Sequence, residues 1–227
     1  MHPRSADERR AELVELYREA RVCARCPLSK TRTNVVFGSG NADAGLMFVG
    51  EAPGMHEDQQ GLPFVGRAGQ LLTKLLEEIG LSREEVFIAN VLQSRPPGNR
   101  DPEPEEIDSC KPFLHRKIEL IEPSVVCTLG NFSTKLLTRS QRGITSVHGR
   151  PQVHELGGRL LRVYPLFHPA AALRSTKTLE DLRADFARLP ALLEEPPPVP
   201  VGAVAPVTTT AAATARTAEP APPTLFD

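Results

Sequence analysis

Four short apolar segments constrain the fold more than any other feature of the sequence. Each is rich in β-branched or aromatic residues and ends close to a glycine, an asparagine or a proline, which is typical of buried parallel strands. The segments are LMFVG (46–50), VFIAN (86–90), SVVCTLG (124–130) and LLRVYPL (160–166). Around them, apolar residues recur at helical spacing at 6–20, 69–80, 103–121, 131–137 and 179–193. Strands that alternate with helices predict an α/β fold, a three-layer α/β/α domain around a central, mostly parallel sheet.

A change of composition divides the 227-residue chain, of which 40% is hydrophobic. Residues 1–193 carry the periodic segments and are predicted to form one domain. Residues 194–227 are rich in Pro and Ala and show no periodicity, which predicts a disordered tail. The tail ends in TLFD, and the apolar pair Leu225 and Phe226 on a flexible segment resembles the peptides that bind bacterial sliding clamps.

Charge and hydrophobicity limit the possible partners. The formal net charge is −1, so a nucleic acid would have to be bound by local basic patches rather than by the overall charge. Candidate patches in loops near the predicted strand ends are Arg95 with Arg100, His148 with Arg150, and Arg174 with Lys177. The sequence has no run of 18 apolar residues and no apolar signal-peptide core in its first ten residues. We therefore expect a cytoplasmic monomer that does not enter a membrane.

Polar side chains lie at the carboxyl ends of three predicted strands. They are Glu51, Asn90 and His168. In a doubly wound sheet these ends meet and form the ligand site, so we expect the three side chains to share a pocket. Each also has an ordinary structural interpretation, because an asparagine after a strand often caps a turn and a lone histidine is often satisfied within the fold.

The loop at 50–69, GEAPGMHEDQQGLPFVGRAG, follows the first of these strands. It contains five glycines, two prolines and three acidic residues. Glycines allow the backbone to approach a ligand closely and to present N–H groups, although the spacing is not that of a Walker loop or a dinucleotide fingerprint. Phe64 in this loop is either a core anchor or a platform for a flat ligand, and the whole segment could also be an ordinary long loop.

Taken together, these motifs resemble the family 4 uracil-DNA glycosylases. GEAPG followed by ED and GLPFVGRAGQLL, then AN followed by RPPGNRDP, then VVCTLG and FHPAA occur in the family's order over about residues 21–190. The resemblance implies a uracil-DNA glycosylase fold, excision of uracil from DNA at the start of base excision repair, and a four-iron four-sulfur (4Fe-4S) cluster.

The resemblance also implies how a flipped uracil would be recognised. Asn90 corresponds to the family's base-reading asparagine, whose amide accepts from N3–H and donates to O4. Phe64 corresponds to the aromatic residue that stacks on the base. His168, in FHPAA, corresponds to the histidine that donates a hydrogen bond to O2, where negative charge develops as the glycosidic bond breaks.

The resemblance implies that two acidic residues of the first motif take part in catalysis. Glu51 and Glu57 correspond to such positions and could orient water, stabilise the cationic sugar or exclude the methyl group of thymine, and the resemblance does not divide these roles between them. Glu51 and Ala52 are expected to line the uracil site, with backbone N–H groups after Glu51 assisting. Ala52 stands where other glycosylases have an aspartate that activates water, which argues against a single general base.

The cysteines are interpreted in the same way. In a reducing compartment, the Cys-x-x-Cys pair Cys23 and Cys26 favours a metal or redox site over a disulfide. The resemblance implies that Cys23, Cys26 and Cys110 are cluster ligands, with Ser94 at the fourth position, where the family usually has a cysteine. Cys127 lies inside an apolar segment, where a thiol is normally an inert core residue. Because a serine oxygen is a poorer ligand for iron than a thiolate, we expect a structural cluster that is labile or incomplete.

Two other functions fit parts of the pattern. One is a non-turnover uracil-DNA binding protein of the same superfamily, whose relatives carry an inserted basic loop with a reactive histidine after the base-reading strand. Here that segment reads RPPGNRDPEPEE and contains no histidine. The other is an iron–sulfur redox protein, against which the sequence shows no flavin or nicotinamide fingerprint.

Overall fold

The computed structural model describes residues 4–199, and within this range the strands form one mixed sheet. In chain order they are β1 (Ser39–Gly40), β2 (Leu46–Gly50), β3 (Phe87–Asn90), β4 (Val125–Leu129), β5 (Gln152–Leu156) and β6 (Arg159–Leu166). Their spatial order is β1-β3-β2-β4-β6-β5. The four central strands are parallel, and β1 and β5 pair antiparallel at the two edges. The prediction of a mostly parallel central sheet is confirmed.

Helices cover both faces of the sheet. They are α1 (Ala6–Arg21), α2 (Met55–Gln60), α3 (Arg67–Glu78), α4 (Pro104–Ile121), α5 (Asn131–Thr138), α6 (Ile144–Val147), α7 (Pro169–Ala172), α8 (Thr176–Phe186) and α9 (Leu189–Glu194). Short 3₁₀ turns occupy Pro27–Lys30 and Pro97–Asn99. None of the helices in the described range is long and apolar enough to cross a lipid bilayer.

The residues of β2 show how the three layers arise. Met47 and Val49 belong to a hydrophobic cluster that includes α1 and α4 residues, whereas Leu46 and Phe48 belong to a second cluster with α3 and α8 residues. Successive side chains of a strand point to opposite faces, so a strand that is apolar at every position must be covered on both sides. The predicted α/β/α architecture is therefore confirmed.

The differences from the sequence prediction are local. The strands β1 and β5 were missed because β1 has only two residues and β5 alternates exposed and half-buried residues without an apolar run. The predicted long loop contains the helix α2. The predicted closing helix at 179–193 is instead divided into α8 and α9, with Pro190 in the first turn of the second helix, where its missing N–H leaves no helical bond unmade.

The predicted boundary between domain and tail falls at the end of α9. Beyond it, Arg162 on β6 pairs with Glu195 at 3.0 Å and donates to the carbonyl of Pro196 at 2.6 Å. Residues 200–227, including the TLFD segment, lie outside the described residues, and the sliding-clamp interaction stays a prediction.

Candidate active site

The parallel register brings the carboxyl ends of the central strands to one edge of the sheet. Gly50 at the end of β2 is aligned with Asn90 at the end of β3, and Leu129 of β4 is aligned with Leu166 of β6. His168 follows β6 by two residues. Its ring centroid lies 5.7 Å from that of Phe64 at an interplanar angle of 32°. We call the group Gly50, Phe64, Asn90 and His168 the strand-end pocket.

Gly50 lets the Asn90 amide and the Phe64 ring pack closely against the end of β2. A methyl group built at Gly50 would clash with Asn90 Oδ1 and would stand 2.6 Å from the Phe64 ring. Both groups therefore face the space that a larger side chain would fill. Any residue other than glycine here would displace the asparagine amide or the ring.

Asn90 is buried, with 2% of its surface exposed, and its amide oxygen has no hydrogen-bond partner within residues 4–199. A buried polar atom without a partner costs about 1–3 kcal/mol, so it is retained where a ligand supplies the missing bond. The turn-capping alternative would have used this oxygen. Asn90 therefore has a buried acceptor that no group of the described residues satisfies.

Phe64 has a left-handed backbone, with a φ of 53°, which costs a non-glycine residue about 1–3 kcal/mol. Two features hold it there. The buried guanidinium of Arg83 donates to the carbonyls of Phe64 and Pro63 at 3.1 and 2.7 Å. A Cβ at Gly69 would run into the Phe64 carbonyl, so only glycine lets α3 pack this closely against the turn.

Arg83 is a site residue that the sequence reasoning missed. It lies in the polar segment LSREEV between α3 and β3, where an arginine ordinarily faces solvent. Burial lowers its pKa, yet the guanidinium makes no ion pair among the described residues and is instead satisfied by two carbonyls and the Thr73 hydroxyl. Only the folded turn reveals the role.

His168 is held in one tautomer by its own helix. Its Nδ1 accepts from the backbone N–H of Ala170 at 3.1 Å and caps α7, so the ring proton of the neutral imidazole lies on Nε2. Burial lowers the pKa of His168 to about 4, against a smaller opposing effect of the Glu57 carboxylate. A Cβ at Gly130 would approach the His168 Cβ to 3.2 Å, so this glycine gives the histidine its place beside β4. The histidine is both a structural cap and a neutral N–H donor.

The two acidic residues have different environments. Glu57 accepts from the backbone N–H groups of Gly54, Val65 and Gly66 at 3.1, 2.9 and 2.8 Å, so its carboxylate ties α2 to the turn after Phe64. The half-buried Glu51 follows β2 and makes no hydrogen bond or ion pair from its side chain within the described range. Burial raises the pKa of Glu51, and the nearby charge of Asp101 raises it further.

Ala52 follows Glu51 and is also half-buried. Its methyl side chain offers no group that could take a proton. Glu51 is therefore the carboxylate near the pocket that remains available for chemistry, whereas Glu57 organises the loop.

The predicted basic patches are only partly available for phosphates. Arg100 makes a two-pronged ion pair with the buried Glu106 at 2.6 and 3.0 Å, and Lys177 pairs with Asp181 at 3.3 Å. His148 shares a 2.8 Å hydrogen bond with Asp185. Arg95 bonds to Asn99, and Arg150 and Arg174 are exposed. Phosphate contact by these residues stays a prediction.

Three of the four cysteines, Cys23, Cys26 and Cys110, lie in or against the hydrophobic cluster on the face of the sheet covered by α1 and α4. We call Cys23, Cys26, Ser94 and Cys110 the cysteine site. Cys23 and Cys26 pack against the same hydrophobic cluster that contains the buried Cys110. Ser109 Oγ donates to the Arg25 carbonyl at 3.2 Å, which ties the Cys-x-x-Cys turn to α4. Cys127 is fully buried inside β4, which raises the pKa of its thiol and agrees with the inert core role expected of it.

The donor set of the cysteine site does not match four thiolates. Ser94 is buried, and its Oγ accepts from Arg32 Nη1 at 3.3 Å, so a guanidinium stands at the fourth position. Within residues 4–199, no three His, Cys, Asp or Glu side chains lie close enough together to hold a metal ion. Three thiols in one region fit part of an iron–sulfur ligand set, and the oxygen at Ser94 does not fit the rest.

A buried lysine lies next to these thiols. The ammonium of Lys117 donates to the Phe37 carbonyl and to Gln93 Oε1, and it lies 4.1 Å from the centre of the Phe37 ring. Burial lowers the pKa of Lys117 to about 7, while Cys110 favours its charged form. Burial also raises the pKa of the Cys110 thiol, and a bond from the Gln93 backbone works in the opposite direction. In its charged form Lys117 lowers the pKa of the Cys110 thiol, against the larger opposing effect of burial.

Comparisons with known proteins agree with this geometry. The sequence profile of the Uracil DNA glycosylase superfamily matches residues 37–189. The chain is 46% identical to a type-4 uracil-DNA glycosylase of Saccharolobus solfataricus over 184 residues, which cover 79% of this chain and 85% of the relative. It is 48% identical to the type-4 enzyme of Thermotoga maritima over 168 residues, or 73% and 86% of the two chains.

A third relative, the type-4 uracil-DNA glycosylase of Archaeoglobus fulgidus, is 44% identical over 181 residues, which cover 78% of this chain and 91% of the relative. The matched profile spans all of the strand-end pocket. With this extent of similarity, the chain belongs to the type-4 uracil-DNA glycosylases of the uracil-DNA glycosylase superfamily.

Proposed function

We propose that this protein excises uracil from DNA by cleaving the N-glycosidic bond, and thereby initiates base excision repair. The observation that carries the proposal is the buried oxygen of Asn90, which has no hydrogen-bond partner within residues 4–199 and lies beside Gly50 and the Phe64 ring. Family membership supports the reaction, and the named relatives are type-4 uracil-DNA glycosylases. A flat base that presents an N–H donor would supply the hydrogen bond that this oxygen lacks.

Asn90 would select uracil by its hydrogen-bonding edge. The amide oxygen accepts from N3–H of uracil, and the amide nitrogen can donate to O4. Cytosine has an acceptor at N3 and an amino donor at the neighbouring carbon, so both bonds would be lost. Each buried group left unpaired costs about 1–3 kcal/mol, and two such losses discriminate strongly.

Phe64 would support the face of the base. Base–aromatic stacking contributes about 1–3 kcal/mol and requires that the ring be held in place. The Arg83 fork and the close contact at Gly69 provide that restraint. The free energy cost of the left-handed backbone at Phe64 is therefore already included in the stability of the free protein and does not weaken binding of the base.

His168 would stabilise the leaving group. When the bond between the sugar C1′ and uracil N1 breaks, its electron pair leaves with the base and the charge spreads to O2. The imidazole is neutral and carries its proton on Nε2, so it can donate a hydrogen bond to that oxygen. Donors held in a dry site are worth about 2.7–4 kcal/mol toward such developing charge.

Glu51 would act on the sugar side of the broken bond. Its carboxylate is half-buried and, within the described residues, unpaired, so in its ionised form it can stabilise the positive charge at C1′ and position the water that adds there. The water loses a proton as it bonds to C1′. Ala52 offers no base for this step, which leaves Glu51 as the candidate and Glu57 as the residue that organises the loop.

We further propose that the cysteine site holds an iron–sulfur cluster with a structural role. Cys23, Cys26 and Cys110 would be its thiolate ligands, and Ser94 would stand at the fourth position. The cluster would connect the Cys-x-x-Cys turn to α4, and it would supply no step of the excision reaction. Lys117 supports such a site, because its charged form lowers the pKa of the Cys110 thiol and so favours the thiolate.

An excision assay tests the main proposal. The full chain is incubated with a labelled oligonucleotide that contains one uracil, and strand breaks are measured after alkali treatment. Matched oligonucleotides with cytosine or thymine at the same position are the controls. Breaks at uracil alone support the proposal, whereas tight uracil-dependent binding without breaks would favour the non-turnover binding protein.

A further inference from the structure

A cavity away from the strand-end pocket has the properties of an anion site. It measures about 500 Å³ and lies between the last turn of α1, the segment 32–38 and the loop after α2. Its polar lining includes Arg21, Arg32, Thr33 and Asn34. None of the lining residues is acidic, as the set is completed by Tyr17, Val35, Phe37, Gly38, Gln60, Gly61 and Leu62. We call this space the arginine cavity.

The two arginines have donors left over. Arg32 uses one N–H toward Ser94 Oγ at 3.3 Å and one toward the Arg21 carbonyl at 3.1 Å, out of the five that a guanidinium carries. The guanidinium of Arg21 lies 5.8 Å from the centre of the Tyr17 ring. Neither arginine forms an ion pair with a carboxylate in the described part of the chain, unlike Arg9, Arg10 and Arg18 of the same helix α1.

The nearest acidic side chain is already occupied. Asp58 is buried, and both of its oxygens accept from the backbone N–H of Thr33 at 2.9 and 3.1 Å. Asn34 in turn donates to the carbonyls of Asp58 and Gln59. These bonds hold the segment 33–34 against α2 and occupy both oxygens of the Asp58 carboxylate. Two guanidinium groups therefore line the cavity with donors left over and, within residues 4–199, without an ion-pair partner.

We propose that the arginine cavity binds a phosphate group. Arginine guanidinium groups match phosphate oxygens in geometry and retain their charge at any physiological pH. The phosphate could belong to the DNA strand or to a free phosphate-bearing molecule. Leu62 of the cavity and Phe64 of the strand-end pocket share one loop, so a strand whose base enters the pocket would pass close to the cavity.

The test measures affinity for DNA that contains no uracil, so its result does not depend on excision. Full-length protein is titrated with a labelled single-stranded thymine oligonucleotide at several salt concentrations. We expect Arg21→Gln to weaken binding about tenfold at low salt. It should also reduce the slope of log K against log salt by about 0.7, the value for one phosphate contact on a single strand. Arg21→Lys should retain part of the affinity, because it keeps the charge.

Arg18→Gln is the matched control, since Arg18 lies one turn earlier on α1 and pairs with Glu15. Arg32→Gln is the second variant and should match Arg21→Gln in its effect on affinity.

A separate titration of wild type and Arg21→Gln with inorganic phosphate, followed by NMR, distinguishes the two sources. Weaker DNA binding by the Arg21 and Arg32 variants assigns the cavity to the DNA strand. If the wild type binds inorganic phosphate and Arg21→Gln does not, while the variants keep the DNA affinity of the wild type, the cavity is assigned to a free phosphate compound. Unchanged affinity in both titrations overturns the proposal.

Discussion

The strand-end pocket and the cysteine site are built from different kinds of structure. The pocket residues Gly50, Asn90 and His168 lie at or just beyond the ends of adjacent parallel strands, and their positions follow from the register of the sheet. The cysteine site lies on a turn, on the β3–α4 connection and on α4, and one of its four positions is a serine bonded to Arg32. Contacts within the protein hold the pocket residues, whereas at the cysteine site no three His, Cys, Asp or Glu side chains of residues 4–199 lie close enough together to bind a metal ion.

This difference shows which interactions hold each region in place. Around the pocket, glycine contacts, the Arg83 fork and the cap at His168 fix every group through the protein alone. At the cysteine site, the proposed cluster would itself supply part of the order, because metal-binding ligand sets gain much of their order from the metal. Changes in the pocket should therefore affect the reaction, and changes in the cysteine site should affect stability.

The largest effect is expected from His168→Ala. Loss of the Nε2–H donor should cost about 2.7–4 kcal/mol of transition-state stabilisation, or about 10²- to 10³-fold in kcat. Single-turnover excision of a uracil oligonucleotide measures it, and circular dichroism checks that the fold is retained. An excision rate equal to that of the wild type would show that this histidine is only the cap of α7.

Asn90→Asp should come next, with excision reduced about 5- to 150-fold, because a carboxylate cannot donate to O4 and one buried bond worth about 1–3 kcal/mol is lost. The same single-turnover assay applies. Gly50→Ala tests the same two residues. Its methyl group would clash with Asn90 Oδ1 and the Phe64 ring, so this variant should also excise uracil more slowly. If both variants excise uracil at the parent rate, the base does not occupy this pocket.

Cys110→Ala tests the other region. It should remove bound iron and its colour and lower the free energy of unfolding by about 1–3 kcal/mol, with a much smaller change in the excision rate of the folded fraction. Cys127→Ala is the control within β4 and should cost about 1 kcal/mol of core packing with no loss of iron. Iron analysis and urea unfolding measure both. Loss of iron in Cys127→Ala but not in Cys110→Ala would mean that the ligand set is wrong.

The pH dependence of the free energy of unfolding tests the burial of His168 in the strand-end pocket. Its pKa of about 4 in the folded protein lies below the ordinary value of about 6.5, so the unfolded chain binds more protons between these values. The free energy of unfolding should therefore fall as the pH decreases from about 6.5 to 4, by up to about 1.4 kcal/mol per pH unit from this residue. Urea unfolding of wild type and His168→Asn over this range measures the difference. Identical slopes would contradict the buried neutral imidazole.

The smallest effect is expected from Ser94→Cys. A fourth thiolate suits iron better than the serine oxygen, so the variant should contain more iron and bleach more slowly in air than the wild type, which should be coloured but substoichiometric in iron. Absorbance during air exposure follows the change, and the excision rate should stay the same. A wild type that contains no iron and still excises uracil would show that this protein does not need the cluster.

Much of the pocket could be predicted from the chain because its residues occupy strand ends. The apolar segments placed β2, β3, β4 and β6 within one or two residues of their observed bounds, and parallel order then predicted that Asn90 and His168 would meet. The sequence was less informative about Glu57. Its role as acceptor for three backbone N–H groups depends on how the loop folds back, which no local pattern encodes.

By itself, the sequence determined the alternation of strands and helices and the position of Asn90 and His168 at strand ends, since these depend on residue type and spacing. The serine at the fourth cysteine position was recognised through the family resemblance. Tertiary structure alone decided the left-handed turn at Phe64, its hold by Arg83, the tautomer of His168 and the contact of Arg32 with Ser94. The physical reason is that each of these is a contact between segments that are distant in the chain, or a backbone conformation that such contacts impose. Local propensity and periodicity carry no information about which distant carbonyl, N–H group or hydroxyl a side chain will reach.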